Sequence, residues 1–186
     1  LCKGGSLTLK VLVCRHNDML RDRDVLCFAT HLAALEELDI SFCSKITDKS
    51  LIHIANIMKD RIIALRASGN ANFTYTGTTP LMMECEVLKL LDLSQCPNIG
   101  YIGMIIQSTN KVLTQYVSRD LTRLYLDDCS GLNHSQLTAE YIAAGLGHLT
   151  HISMNNVQCC DDNFMMSIVM GIPSLQSITS CGCKLI

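Results

Sequence analysis

One pattern recurs along this chain, and it limits the folds open to it. In residues 35–58, LEELDISFCSKITDKSLIHIANIM, the apolar residues Leu35, Leu38 and Ile40 precede Cys43, Ile46, Thr47 and Asp48. Leu38 and Ile40 alternate with Glu37, Asp39 and Ser41, which is the two-residue spacing of a strand. Leu51, Ile54, Ala55 and Met58 then fall on one face of a helix, with Thr47 or Asp48 placed to cap its free N–H groups. A strand and a helix this short cannot bury their apolar faces alone, so the unit needs neighbours stacked on both sides.

Further copies start near residues 6, 62, 88, 121, 149 and 175, so that successive starts are 29, 27, 26, 33, 28 and 26 residues apart. The first copy is read as Ser6, Leu9, Val11 and Cys14, followed by Leu20, Asp22, Val25, Phe28 and Ala29; this assignment needs three extra residues after Cys14. Cys14, Cys43, Asn70, Cys96, Cys129, Val157 and Cys183 then share one structural slot. Asparagine suits such a slot because its amide can bond neighbouring backbone groups in the turn leaving the strand. The sixth copy predicts a helix buried through Met165, Ile168 and Val169, and the fifth a helix over about 135–146. Gly100 and Gly103 weaken the fourth helix, and residues 109–120 read as an insertion with helical spacing of Val112, Leu113, Tyr116 and Val117.

The consensus LxxLxLxxCxxITDxxL resembles the cysteine-containing leucine-rich repeat of the F-box/leucine-rich-repeat ubiquitin-ligase receptors and of related ribonuclease-inhibitor-like proteins. The resemblance spans nearly the whole chain. It implies an α/β leucine-rich-repeat solenoid, a horseshoe with a concave parallel β-sheet and convex helices. One domain over 1–186 with about seven repeats is expected, cut at both ends from a longer protein. Functionally it implies a non-enzymatic protein–protein interaction module, like the substrate-recognition arm of a ubiquitin-ligase adaptor. The alternative is a structural or scaffolding subunit of a large cytoskeletal or ciliary (axonemal) assembly. No stretch of the chain resembles an F-box.

Composition narrows the partners. A formal net charge of -2, with basic and acidic residues interspersed, argues against nucleic acid or an anionic membrane as partner. No uninterrupted apolar run approaches the roughly 20 residues of a membrane-spanning helix. Aromatics make up only 5%, as expected of thin layers of leucine, isoleucine and methionine. Eleven cysteines, several at one repeat position, read as buried free thiols and favour a reducing compartment: cytoplasm, nucleus, or a cytoskeletal or ciliary location. Other proteins, within a multi-subunit complex, are the expected partners.

Residues alternating with the buried strand leucines line the face where partners are expected. One column begins Lys10, Asp39, Arg66, Asp92, alternating in sign and expected to form cross-strand ion pairs. Arg123, Tyr125, Asp127, His151 and Asn155 break that ladder and gather residue types common among interface hot spots, which makes them the candidate partner patch. His148, His151, Cys159 and Cys160 are zinc-ligand types, but the repeat phase points them apart, so no metal is expected. Cys181 and Cys183 likewise belong to different positions of the repeat, one exposed and one structural. Histidines, serines and acids lie at unrelated phases, so no catalytic group and no cofactor are assigned. The methionine-rich stretches 81–83 and 164–170 read as core-facing.

Overall fold

The computed structural model describes residues 7–100, 120–132, 142, 145–158 and 160–183. The fourth copy's helix and the segment 109–119 lie outside these, as do Ser6, Cys159 and most of the predicted helix at 135–146. Seven three-residue strands form one parallel sheet in sequential order: β1 (Val11–Val13), β2 (Glu37–Asp39), β3 (Ala64–Arg66), β4 (Leu90–Asp92), β5 (Arg123–Tyr125), β6 (His151–Ser153) and β7 (Ser177–Thr179). Four described helices of ten residues, α1 (Asp22–His31), α2 (Asp48–Ile57), α3 (Tyr75–Glu84) and α4 (Asp162–Gly171), follow β1, β2, β3 and β6. Parallel neighbours need a crossover between them, and the described helices supply it after β1, β2, β3 and β6.

The register explains the core. Leu12, Leu38, Leu65, Leu91, Leu124, Ile152 and Ile178 occupy the middle of the seven strands and face one another across the sheet. Leu38, Leu65, Leu91, Leu124 and Ile152 are buried, joined by Leu35, Ile62, Leu88, Leu121 and Leu149 before the strands and by Ile40, Ala67, Leu93, Leu126 and Met154 after them. Helix residues Val25, Phe28, Ala29, Leu51, Ile54, Ala55 and Leu81 close the same cluster. Thr47, Thr74 and Asp161 cap α2, α3 and α4 by accepting the N–H groups of Lys49, Thr76 and Phe164.

Two expectations are corrected here. In the first copy Leu12, not Leu9, pairs with Leu38, so Leu9, Leu12, Cys14, Asn17 and Leu20 take the places of Leu35, Leu38, Ile40, Cys43 and Ile46. No insertion follows Cys14, and Asn17 rather than Cys14 fills the cysteine slot. Val11 and Val13 are consequently 50% and 58% exposed on the outer face. Matching one cysteine to another misplaces the strand by three residues, whereas burying Leu12 and Leu20 together fixes it. In α4 the buried face is Phe164, Ile168 and Ile172, while Val169 is 51% exposed, with Met166 and Met170 at 61% and 75%. A residue five positions after Phe164 is turned about 140° from it, onto the solvent side.

Candidate functional site

The face of the sheet away from the helices is uncovered by any described element, and the strands' outer residues define what it displays. Their first positions run Val11, Glu37, Ala64, Leu90, Arg123, His151, Ser177; their last positions run Val13, Asp39, Arg66, Asp92, Tyr125, Ser153, Thr179. The expected ladder of alternating charge therefore fails at its start, because Lys10 is outside the column and binds Glu36 at 2.8 Å. Arg66 turns along the sheet to Glu37 at 3.5 Å, and Arg15 approaches Asp39 at 3.9 Å. Asp39 and Asp92 each spend one oxygen on the backbone N–H two residues ahead, that of Ser41 and Ser94, and Asp39 turns its other oxygen to Arg15 rather than to Arg66.

The structure brings the five residues of the candidate patch onto two adjacent strands and their exits. Arg123 is exposed and in register with His151, while Tyr125 is half-buried and in register with Ser153. Asp127 is already engaged: one oxygen accepts both the Ser153 hydroxyl at 2.6 Å and the Asn155 N–H at 2.7 Å. Asn155 in turn accepts the Cys181 N–H at 2.8 Å, and the His151 Nδ1 lies 2.8 Å from the Thr150 hydroxyl. Asp127 and Asn155 thus tie β5, β6 and β7 together, leaving Arg123 and Tyr125 as the members least bound by the fold. An open depression at the other end of the face is lined by Val11, Val13, Arg15, Glu37, Asp39 and Arg66; sequence reasoning missed it because it needs the corrected register.

Beyond the strand ends, a row of turns carries the side chains that stitch one unit to the next. His16, Phe42, Gly69, Gln95, Asp128, Asn156 and Gly182 hold equivalent places and all have positive φ, between 57° and 74°. The His16 ring stacks on Phe42 at 4.7 Å, and Phe42 lies where a Cβ on Gly69 would be, which makes glycine the residue that fits. The residue after each of these turns is the cysteine slot. There the Cys43, Cys96, Cys129 and Cys183 thiols donate to the carbonyls of Cys14, Ala67, Leu93 and Met154, each in the preceding unit. Asn70 does the same to Ile40 at 3.1 Å and accepts the Cys43 N–H at 2.8 Å. The slot is therefore a buried donor as well as a packing position, and Val157, buried without a polar side-chain atom, does only the packing.

Burial dictates thiol chemistry. Desolvation pushes Cys96 up to about 11 and Cys129 and Cys85 up to about 12, so these remain protonated thiols at neutral pH. Eight described cysteines are free, and Cys27 on α1 is disulfide-bonded. His148 is exposed in a turn, His151 is on the open face and Cys160 is buried in the core. Among the described residues no group of three or more His, Cys, Asp or Glu could hold a metal ion. No described helix is long and apolar enough to cross a membrane.

A second ladder runs along the helix starts. Asp22 accepts the Thr47 N–H at 2.8 Å, the Thr47 hydroxyl at 2.8 Å and the Ser50 hydroxyl at 2.6 Å. Asp48 repeats this on Thr74. Burial alone would raise the Asp22 pKa, but the donors from Ser50 and Thr47 together lower it. The Thr-Asp pair divides its labour: threonine caps its own helix, and aspartate holds the next one.

No family model matches the chain. No curated protein matches it either. Among solved structures, the chain is similar to one described as the Rad7 and Elc1 complex in yeast, at 14% identity and a TM-score of 0.29, over 97% of this chain and 75% of that one. A likeness at that score carries no argument about the function of this chain.

Proposed function

We propose that the chain is a leucine-rich-repeat module that binds other proteins through the open face of its sheet, in the manner of the recognition arm of an F-box/leucine-rich-repeat ubiquitin-ligase receptor, and that it is not an enzyme. The observation carrying this reading is the contrast across the open face. Asp127 and Asn155 each spend an oxygen on ties between strands, whereas the side chains of the exposed Arg123 and the half-buried Tyr125 have no hydrogen bond or ion pair among the described residues. Arginine and tyrosine in that state are the residue types that carry interface energy. The thiols with raised pKa values sit at buried structural positions, which agrees with a binding rather than a chemical role.

A tagged chain and its Arg123→Ala/Tyr125→Ala double variant, compared by quantitative affinity purification from native material, test the assignment. Loss of stoichiometric partners without a change in melting is expected; an unchanged partner set moves the site off these strands. The exposed apolar row Met166, Val169 and Met170 on α4 favours a second reading, a scaffolding subunit whose helix side is also covered. In that case partners survive the double variant and are lost on Met166→Glu/Met170→Glu.

A further inference from the structure

The ion pairs of the open face stop partway across it. From β1 to β3 and their flanking residues, Glu36, Glu37 and Asp39 each have a cation, Lys10, Arg66 and Arg15 respectively. Across β4 to β6, Asp92, Arg123 and Asp127 share the same face, yet none has an ion-pair partner among the described residues. These charges are also sorted by row. Arg123 stands at the start of its strand, in register with Leu90 on one side and His151 on the other. Asp92 stands one row later, in register with Tyr125, and Asp127 lies two residues beyond Tyr125.

Both carboxylates are held in place. One oxygen of Asp92 is fixed by the Ser94 N–H at 3.0 Å, and one of Asp127 by the Asn155 N–H at 2.7 Å. Each keeps a second oxygen with no partner among the described residues. Neighbouring strands are about 4.8 Å apart and alternate residues of one strand about 6.6 Å apart, so Asp92 is one strand over and one side-chain step along from Arg123, and Asp127 is two steps along with Tyr125 between. An isolated arginine would accept any anion and an isolated acid any cation. Sorted rows with an aromatic divider accept a segment that carries both signs in the matching order, and they repel one that carries a single sign.

Resting on the reading that the open face is the binding surface, we infer that β4 to β6 dock a segment of a partner protein that presents an acidic side chain to Arg123 and a basic side chain to Asp92 and Asp127. Its intervening atoms lie against Tyr125 and Leu90. The preference is for mixed charge at a spacing of about two residues, not for an acidic or a basic peptide as such.

Four immobilised peptides on a glycine–serine background, bearing Glu-Gly-Lys, Lys-Gly-Glu, Glu-Gly-Glu or Lys-Gly-Lys and displayed at high density, test this with the labelled chain as probe. Retention on the better mixed-charge peptide should exceed that on either like-charged one by about threefold, as expected for one or two exposed ion pairs, and should fade with added salt. Arg123→Glu should shift the preference to Lys-Gly-Lys, and Asp92→Lys should shift it toward Glu-Gly-Glu; Arg123→Gln, which only removes the charge, and Asp92→Asn, which keeps an oxygen for the Ser94 N–H, should flatten it. Equal retention of all four peptides, or a ranking that Arg123→Glu and Asp92→Lys leave unchanged, overturns the inference. If the ranking is flat but Arg123→Ala/Tyr125→Ala still loses its native partner, the face binds by other chemistry and only this inference falls; if that double variant keeps its partner, the proposed site falls with it.

Discussion

Asn70 offers the sharpest test of how the units are joined. It sits in the cysteine slot between β3 and α3, 1% exposed, and its amide is fully occupied. Its Oδ1 accepts the Cys43 N–H at 2.8 Å, and its Nδ2 donates to the carbonyls of Ile40 at 3.1 Å and Ala67 at 2.9 Å. Asn70→Ala removes these partners together. Leaving a buried donor or acceptor unpaired costs about 1–3 kcal/mol, so one orphaned N–H and two weakened carbonyls add up to roughly 3–5 kcal/mol. For a chain of this size that lowers the melting temperature by about 6–20 °C.

Asn70→Cys should behave differently. The cysteines of the slot already donate to the equivalent carbonyl, as Cys96 does to Ala67. They are also approached by the backbone N–H of the preceding slot, Asn17 for Cys43, Asn70 for Cys96 and Cys96 for Cys129. A thiol thus restores both contacts in weaker form, and the loss should be less than half that of alanine, about 1–2 kcal/mol. Thermal and urea melts followed by circular dichroism measure both variants. An Asn70→Ala loss below about 1 kcal/mol, or equal losses for alanine and cysteine, would refute the view that the slot is a hydrogen-bonding position.

Other consequences can be checked on the same material. Leu124, buried at the centre of β5, should lose about 2–5 kcal/mol on replacement by alanine in a thermal melt. Because its donors hold the Asp22 pKa below the ordinary value, Asp22 contributes stability above the unfolded carboxyl pKa of about 3.9, and that contribution is lost as pH falls through the folded value. Unfolding of Asp22→Asn should therefore depend less on pH below about 4 than that of the native chain, and parallel acid curves would contradict the ladder. Gly69→Ala, which puts a Cβ into the Phe42 ring at positive φ, should destabilise by more than about 1 kcal/mol, and part of the loss should be recovered in Gly69→Ala/Phe42→Ala. In native alkylation followed by mass spectrometry, the exposed Cys181 should react well before Cys96 and Cys129, which should need denaturant.

The repeat spacing makes the strand–helix units legible, because leucines at fixed separations report burial directly. It does not make their first register legible. Cysteine is the most visible marker of the slot, yet in the first unit the slot falls on Asn17 and not on Cys14. The turn before the slot is likewise invisible in sequence: histidine, phenylalanine, glycine, glutamine, aspartate and asparagine share no propensity, and only the repeated backbone shows that all have positive φ. The charge ladder fails for a related reason. Residue type and spacing put Asp39 beside Arg66, but contacts outside the column take both: Arg66 reaches Glu37 at 3.5 Å and Arg15 approaches Asp39 at 3.9 Å.

The same competition separates the residues that hold this fold from those left for binding. A side chain on the open face that accepts a backbone N–H of its own or the next unit, as Ser41, Asp127 and Asn155 do, is tied to the sheet, and replacing it disturbs strand pairing before it disturbs a partner. The side chains of Arg123 and Tyr125 make no such tie among the described residues. Their substitution should therefore change what the face recognises at little cost to its shape, and that is the condition under which a repeated scaffold acquires a specific partner.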